Sequence, residues 1–337
     1  MQSKNRLRMP WWRALTLVAI VALGLVGIVG SGGGFPCPGP CAGDFPPEPT
    51  MPTIAPPFNS VQVGGSFAFS ARATDFANPS YQWWRAPRGG PLSAIAGATG
   101  ASYTASGANL LDDGSVFMVS VSGSFNGRQV NMSSGLAPLT VSSMPPVVFQ
   151  DSEFLAADWS SAAIIAPASN GPTHVEQQAT TGGNPGAYRQ TTLAMPAGPG
   201  TLYVFETMSA AVYDPAVQGP LYVVDFSQDC LALPGILGVG PMLLLEQNGR
   251  RYIAGGPTLC GAGTWSSATL IPGHFGATDF FKVDGPACAA GQACPDFSAL
   301  GQAIRFGFAN SNQGLAGFAG GSGGFGVDNW KVQAWRR

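Results

Sequence analysis

The residues of this sequence best suited to binding a ligand are aromatic rings that lie beside hydrogen-bonding side chains. Tyr188, Tyr213 and Trp265 each have donor or acceptor side chains next to them in the sequence. Saccharides bind by stacking their C–H faces on such rings and by hydrogen bonds to their hydroxyl groups. The predicted ligand-binding residues are Asn184, Tyr188, Arg189, Gln190, Tyr213 and Trp265. For any single ring, packing inside the fold is the favoured alternative.

Two glycine-rich patterns imitate catalytic or cofactor motifs but lie in unsuitable contexts. Gly321–Gly326 fits the dinucleotide-binding pattern, which needs a strand before it and a helix after it. Here a glycine-rich loop leads into the strand-like segment Val327–Val332. Gly320–Gly324 fits the pattern of a nucleophile elbow, but the nearest histidine, His274, precedes the serine, which reverses the order of that fold. The chain is therefore predicted not to be an enzyme.

Asp328 and Asn329, with Asp151 at an earlier position, offer the oxygen ligands that Ca²⁺ prefers. A structural role is favoured, in which Asp328 and Asn329 fix a β-bulge or neighbouring backbone while Trp330 fills the core. No metal and no cofactor are therefore predicted. The two histidines, His174 and His274, are expected to be ordinary surface or loop residues.

Composition excludes several classes of partner. The 337 residues include 16 Lys and Arg, 18 Asp and Glu and two His, for a net charge of −2. Nucleic-acid binding needs clustered Lys and Arg to neutralise phosphates, so no nucleic-acid partner is predicted. The 45% of hydrophobic residues can build substantial cores, whereas only 10% of residues are charged.

The first residues have the pattern of an export signal. A basic segment precedes the uncharged apolar run Ala14–Val29, which ends in small residues. The run is 16 residues long, just below the roughly 17–25 residues that span a bilayer. Residues 1–31 are therefore predicted to be a cleaved signal, and a retained membrane anchor is the alternative. The chain would be periplasmic, displayed at the cell surface or secreted, with membrane contact only through an uncleaved leader.

Six cysteines follow the apolar run. An even number in an exported chain indicates disulfides, although six cysteines allow fifteen connectivities. Zinc is disfavoured because none of the spacings has the C-x-x-C pattern typical of zinc sites. The predicted pairs are Cys37–Cys41, Cys230–Cys260 and Cys288–Cys294.

A Gly- and Pro-rich linker is predicted over residues 32–58, followed by short strands. Phe67 and Phe69 alternate with smaller or polar residues, which is the pattern of a half-buried strand. Together with Tyr81–Trp83 and the Asp112–Gly114 turn before Phe117, this segment resembles a bacterial immunoglobulin-like domain, placed at residues 59–143. The resemblance implies a core tryptophan at Trp83. The family's inter-sheet cysteines are missing here, with Ala71 and Val119 near their positions, so stability is expected to come from packing of Trp83, Phe67, Phe69 and Phe117.

The second block, residues 144–337, has longer predicted strands and a hairpin over Met242–Ala254 that turns at Asn248-Gly249. With Phe149–Asp151 near its start, Gly183–Arg189 and the segment Val327–Val332, it resembles the concanavalin-like or laminin-G-like jelly-roll sandwich. The resemblance implies that the first and last strands lie side by side. Glycoside hydrolases of this type place paired carboxylates on one strand, and the glutamates of this block do not follow that pattern.

The sequence therefore predicts an all-β chain, with an immunoglobulin-like sandwich followed by a jelly-roll β-sandwich behind a hydrophobic leader helix. The expected function is that of a non-catalytic exported binding or adhesion protein. Its predicted partner is a polysaccharide or a cell-surface protein. The alternatives are a structural or protein-interaction surface protein without a sugar site and, less favoured, a secreted glycan-active enzyme.

Overall fold

Strands make up nearly all of the regular structure, which confirms the all-β prediction. The computed structural model describes residues 47–166, 171–234, 239–255, 260–267, 273–283, 294–314 and 317–336. The predicted leader and most of the predicted linker lie outside these ranges. Residues 49–337 belong to one compact unit. Within the described ranges, no helix has the length and apolar character needed to cross a membrane.

Two sheets build the first sandwich. Three strands pair in the order β1-β3-β6, and the other sheet has the order β2-β9-β7-β4-β5, with β8 pairing to β7. Strand β1 lies inside the segment predicted as linker, because Ile54 packs against the core. The strands are β1 Thr53–Ala55, β2 Asn59–Gln62, β3 Phe67–Arg72, β4 Ala77–Ala86, β5 Ser93–Ala94, β6 Ser102–Ala105, β7 Val116–Phe125, β8 Arg128–Ser133 and β9 Ala137–Ser142.

Aromatic rings fill the interior of the first sandwich. Trp83 on β4, Phe69 on β3 and Phe117 on β7 are almost completely buried, and Phe67 lies beside them. The rings of Phe69 and Phe117 have centroids 5.1 Å apart. The Trp83 indole donates a hydrogen bond of 3.0 Å to the carbonyl oxygen of Gly100, so its one polar atom is satisfied. All four rings predicted for this core lie in it.

The second sandwich consists of two larger sheets. In the β23 sheet the order is β12-β13-β23-β15-β18, with β10 beside β23 and with β19 and β20 beside β15; the β14 sheet has the order β11-β14-β22-β16-β17-β21. One short helix, α1 (Pro215–Gln218), follows β14. The strands are β10 Val147–Asp151, β11 Trp159–Ala166, β12 Thr173–Gly183, β13 Gly186–Met195, β14 Gly200–Tyr213, β15 Leu221–Leu233, β16 Val239–Gln247, β17 Arg250–Ala254, β18 Gly261–Ala262, β19 Ser266–Ser267, β20 His274–Phe275, β21 Phe281–Lys282, β22 Ile304–Gly314 and β23 Gly321–Arg336.

Several predicted features of the second block are confirmed. The first strand, β10, pairs with the last, β23, with Val147 opposite Ala334. Strands β16 and β17 form the predicted hairpin, and both Asn248 and Gly249 have positive φ, as its tight turn requires. Cys230 and Cys260 form the predicted disulfide, with their Cα atoms 5.3 Å apart.

The remaining cysteines are only partly described. Cys294 is disulfide-bonded. Its predicted partner, Cys288, lies outside the described residues, as do Cys37 and Cys41.

The glycine-rich run predicted as a loop is instead the first half of a strand. Gly321–Gly326 continues into β23 and pairs with β13 and β15. At Gly324, a Cβ atom would collide with the carbonyl oxygen of Thr191 on β13. Glycines therefore let the neighbouring backbone approach closely, a requirement that the local sequence pattern does not reveal.

A hydrogen-bonded chain of four side chains joins the two sandwiches. Thr140 of β9 lies 3.0 Å from Nε2 of His274, and Nδ1 of His274 lies 2.7 Å from a carboxylate oxygen of Asp225. The indole of Trp335 donates to the other oxygen of Asp225 at 2.7 Å. The expectation that His274 is an ordinary surface or loop residue is therefore wrong. The long-range pairing of β20 with β15 places it at this junction.

Charged groups extend the junction. Arg88 of the first sandwich hydrogen-bonds the hydroxyl of Tyr222 and donates to Asp113 at 2.6 Å. Arg336, at the end of β23, donates to the carbonyl oxygen of Pro145 at 2.9 Å. One part of the outer face of the β23 sheet is thus covered by the first sandwich.

Candidate ligand-binding surface

A buried carboxylate of β23 holds the turn of the β12–β13 hairpin. Asp328 is completely buried and accepts hydrogen bonds from the backbone N–H groups of Asn184, at 2.5 Å, and Asn329, at 2.6 Å. A Cβ atom on Gly183 would lie 2.7 Å from Oδ2 of Asp328, so only glycine fits there. Burial raises the pKa of Asp328, and the two backbone N–H groups oppose this rise.

A second carboxylate fixes the side chains around this hairpin. Asp229 accepts from Nδ2 of Asn184 at 3.1 Å and from Nδ2 of Asn329 at 2.7 Å. Asn329 has a φ of 48°, and the pairing of β15 with β23 shifts register beside Asp229. Asp328 and Asn329 thus hold an irregularity of the sheet, while Trp330 is fully buried in the core.

The oxygens of Asp151 are also engaged. One accepts from the backbone N–H groups of Glu153, at 2.8 Å, and Phe154, at 3.1 Å, and the other accepts from the indole of Trp159 at 2.6 Å. Within the described part of the chain, no group of three His, Cys, Asp or Glu side chains has an arrangement that could hold a metal ion. The geometry gives Asp151 the role of fixing a turn.

Two of the predicted rings meet on the outer face of the β23 sheet. Tyr188 and Trp265 lie edge to face, with centroids 5.2 Å apart. Beneath them, a Cβ atom on Gly326 would lie 2.9 Å from the Trp265 ring and 3.0 Å from the Tyr188 ring. The rings therefore rest directly on the backbone of β23. Tyr188 is only 9% exposed, whereas Trp265 is half-buried and is the ring that a ligand can reach.

The segment that carries Trp265 is tied to the sheet at both ends. The disulfide Cys230–Cys260 fixes its start. Ser266 donates to the carbonyl oxygen of Cys230 at 3.2 Å and accepts from the backbone N–H of Gly261 at 3.1 Å. The Trp265 indole itself donates to the carbonyl oxygen of Gly182 at 2.8 Å. The ring is thus held in one position before any ligand arrives.

Polar groups flank these rings. Gln190 lies two residues beyond Tyr188 on β13 and therefore shares its face. Its amide lies 3.3 Å from that of Gln177 on the neighbouring strand. Asn184 belongs to the hairpin, next to the anchor of Trp265. We call Asn184, Tyr188, Gln190 and Trp265 the aromatic surface.

A polar cleft of about 360 Å³ lies at Asn329 and is lined by β10 and β23. Its side chains include Gln150, Ser152 and Lys331; Gln150 and Lys331 are direct partners across the two strands. Sequence reasoning missed these residues as candidates. The predicted pairing of the first and last strands could have indicated them, because it places Gln150 of β10 opposite Lys331 of β23.

Arg189 and Tyr213, predicted beside the other candidates, do not reach the aromatic surface. Side chains alternate along a strand, so Arg189 points to the interior, where it forms an ion pair of 3.0 Å with Glu206 of the β14 sheet. Tyr213 is fully buried and donates to the carbonyl oxygen of Gly219 at 2.7 Å. Burial raises the pKa of Tyr213 to about 12.

Burial also shifts the pKa of the Glu206 carboxyl group in the interior. Burial raises its pKa from 4.5 to about 7, although Arg189 and a hydrogen bond of 2.8 Å from Ser161 oppose the rise. The charge of Glu176 on β12 adds to it. No partner for Oε1 of Glu206 exists among the described residues. Glu206 has no exposed surface. The ion pair between Arg189 and Glu206 therefore lies between the two sheets, where a large substrate cannot reach it.

No family model matches the chain, and no curated protein matches it.

Proposed function

We propose that this chain is a non-catalytic, exported binding or adhesion protein whose second sandwich recognises polysaccharide through the aromatic surface. The observation that carries the proposal is the fixed, half-buried Trp265 ring beside Tyr188, with the amides of Gln190 and Asn184 close to it. A ring fixed in this way loses little conformational entropy when a sugar stacks on it. The neighbouring polar cleft supplies further groups for hydroxyl recognition.

We also propose a family for each sandwich and an exported location for the chain. The first sandwich is an immunoglobulin-like domain, and the second is of the concanavalin-like or laminin-G-like type. Residues 1–31 direct export, and the linker holds both sandwiches away from a membrane. The resemblances in the sequence support this view, as do the two-sheet arrangement of each sandwich and the disulfide suited to an oxidising compartment.

A glycan array with the exported chain, followed by titration of the best glycan, tests the proposal. Trp265→Ala should weaken binding by about 1–3 kcal/mol, which is the scale for loss of one stacked ring. Trp84→Ala, which removes a half-buried ring of the first sandwich, is the matched control and should leave the affinity unchanged. Tyr188→Ala should reduce both binding and stability, because Tyr188 is largely buried. An empty array, or equal effects of the two tryptophan variants, would contradict the proposal.

A protein-interaction role without a sugar site is the second candidate. Leu110 and Leu111 of the first sandwich are 58% and 87% exposed. They line a cleft of about 500 Å³ together with Arg88 and Val141 near the junction. Exposed apolar residues around a cleft favour a protein partner. Loss of adhesion in Leu111→Ser but not in Trp265→Ala would select this role.

A further inference from the structure

The outer face of the β14 sheet carries a row of charged side chains far from the aromatic surface. Glu246 on β16 is the direct partner of Arg251 on β17 and of Arg305 on β22. Their chain neighbours Leu245, Tyr252 and Phe306 point into the core. The three charged side chains therefore lie on the opposite, outer face. We call Arg251, Glu246 and Arg305 the arginine row.

We propose that the arginine row binds the carboxylate group of an acidic saccharide. The row lines a cleft of about 380 Å³, which also includes Asn248 of the hairpin turn and Val212. The site lies on the other sheet from the aromatic surface, so it is a second and separate site. The choice of a saccharide as the ligand rests on the proposed function, whereas the carboxylate is inferred from the arginines.

The charges of the row leave one cation without a counterion. Nε of Arg251 donates to Glu246 at 2.6 Å, so these two charges compensate each other. Arg305 is exposed, and among the described residues no side chain forms an ion pair or hydrogen bond with it. An entering carboxylate would therefore meet a net positive charge.

The geometry of Arg251 suits recognition. Its guanidinium carbon lies 5.0 Å from the centre of the Phe205 ring, on which such a planar cation packs well. The contact with Glu246 uses Nε and leaves the two terminal nitrogens as donors. Arginine pairs with a planar carboxylate through two parallel hydrogen bonds, which a lysine cannot reproduce.

The floor of the cleft is rigid. Gln247, next to Glu246, is buried and uses its amide fully. It donates to the carbonyl oxygens of Asp296 and Gln302, both at 2.8 Å, and accepts from the backbone N–H of Asp296 at 2.6 Å. The end of β16 is therefore fixed to the loop before β22, and the spacing between Arg251 and Arg305 is set in advance.

Titration of the full chain at low salt with a tetramer of galacturonate, and with its neutral methyl ester, tests the proposal. We expect the acid to bind and the ester to bind about tenfold more weakly, the scale of losing a hydrogen-bonded charge. Arg305→Gln should weaken binding of the acid by about tenfold. Arg305→Lys should bind the acid more tightly than Arg305→Gln but more weakly than the wild type. Arg72→Gln is the matched control, because Arg72 is an exposed arginine of the first sandwich; it should change nothing.

Three results would overturn the inference: no binding of the acid, equal binding of acid and ester, or equal effects of Arg305→Gln and Arg72→Gln. The Trp265→Ala variant separates this inference from the proposed function. If binding of the acid depends on Trp265 but not on Arg305, the arginine row fails and the aromatic surface stands. If binding of the acid depends on Arg305 while the neutral glycans of the array do not bind, the aromatic surface fails and the arginine row stands.

Discussion

The two sandwiches fill the space between their sheets with different chemistry. The first relies on rings, with Phe67 and Phe117 edge to face at 5.5 Å and Trp83 and Phe69 stacked at 6.4 Å. The second also has rings, but it buries an ion pair between Arg189 and Glu206. Its polar layer continues to Asn310, which donates to Thr191 of the opposite sheet at 3.3 Å.

This difference has an energetic meaning. Burial of apolar side chains stabilises a fold without needing a specific partner residue or a particular pH. In a buried ion pair, the attraction between the charges roughly offsets the cost of removing them from water, and loss of one partner leaves an uncompensated buried charge that destabilises the fold. The first sandwich should therefore respond to loss of volume, and the second to loss of a charge partner. Four measurements test this contrast.

The largest effect should come from Trp83→Ala. Removal of a fully buried indole should lower the free energy of unfolding by about 4 kcal/mol, because a large cavity remains. Urea unfolding followed by circular dichroism measures the loss, and hydrogen exchange should localise it to β3–β9. Trp84→Ala, at the next position but only half-buried, should cost much less. Similar losses in both variants would refute the ring-based core.

At pH 8, above the pKa of about 7 that burial gives Glu206, Arg189→Ala should cost slightly less, about 3–4 kcal/mol, because it leaves the Glu206 carboxylate buried without its cation. The double variant Arg189→Leu with Glu206→Leu should regain most of this stability, since it removes both charges. Urea unfolding of the three proteins measures the difference. If the double variant is no more stable than Arg189→Ala, the ion pair is not the source of the loss.

Removal of the Cys230–Cys260 disulfide should cost about 3 kcal/mol, given its sequence separation of 30 residues. The variant with serine at both positions isolates this bond from the disulfide of Cys294. Hydrogen exchange should rise in residues 260–267 and along β15. Residues 59–143 contain no cysteine and should keep their protection, and a uniform rise in both sandwiches would contradict local anchoring.

The smallest effect should be a dependence on pH. The pKa of Glu206 is raised from 4.5 to about 7 on folding, so the folded state binds its proton more tightly than the unfolded state. The contribution of Glu206 to stability is therefore fully present below about pH 4.5, and about 2–3 kcal/mol of it is lost as the pH rises to about 7. Unfolding measured across this range should show the fall in the wild type and lose it in Glu206→Gln. Parallel pH profiles of the two proteins would rule out this assignment.

The sequence was informative where a local pattern decides the structure. Alternation of Phe67 and Phe69 indicated β3, and Asn248-Gly249 indicated the hairpin. Cys230 and Cys260 remained after the two closely spaced pairs were assigned. In each case the determining residues are close in sequence, or few enough to pair by elimination.

The sequence did not reveal features that depend on distant partners. Arginine is usually exposed, and the burial of Arg189 follows only from Glu206 on the opposite sheet. His274 became a junction residue through the pairing of β20 with β15. The glycines of β23 belong to a strand because β13 approaches them closely. Of the predicted ligand-binding residues, the structure gathers Asn184, Tyr188, Gln190 and Trp265, because the β12–β13 hairpin and the separate segment that carries Trp265 meet on one outer face.

The pairing of the first and last strands of the second sandwich also determines how it responds to mechanical tension. Val147 at the start of β10 lies opposite Ala334 near the end of β23, so the chain enters and leaves this sandwich at the same end. A force between these two segments acts across the strands, along the interstrand hydrogen bonds, and it opens them one after another instead of shearing them together. The hydrogen bonds that join Arg336 to Ser142 and Pro145 lie at this end and bear the load. Under such a pull, the sandwich yields by peeling off β10 while its disulfide-linked segment stays in place.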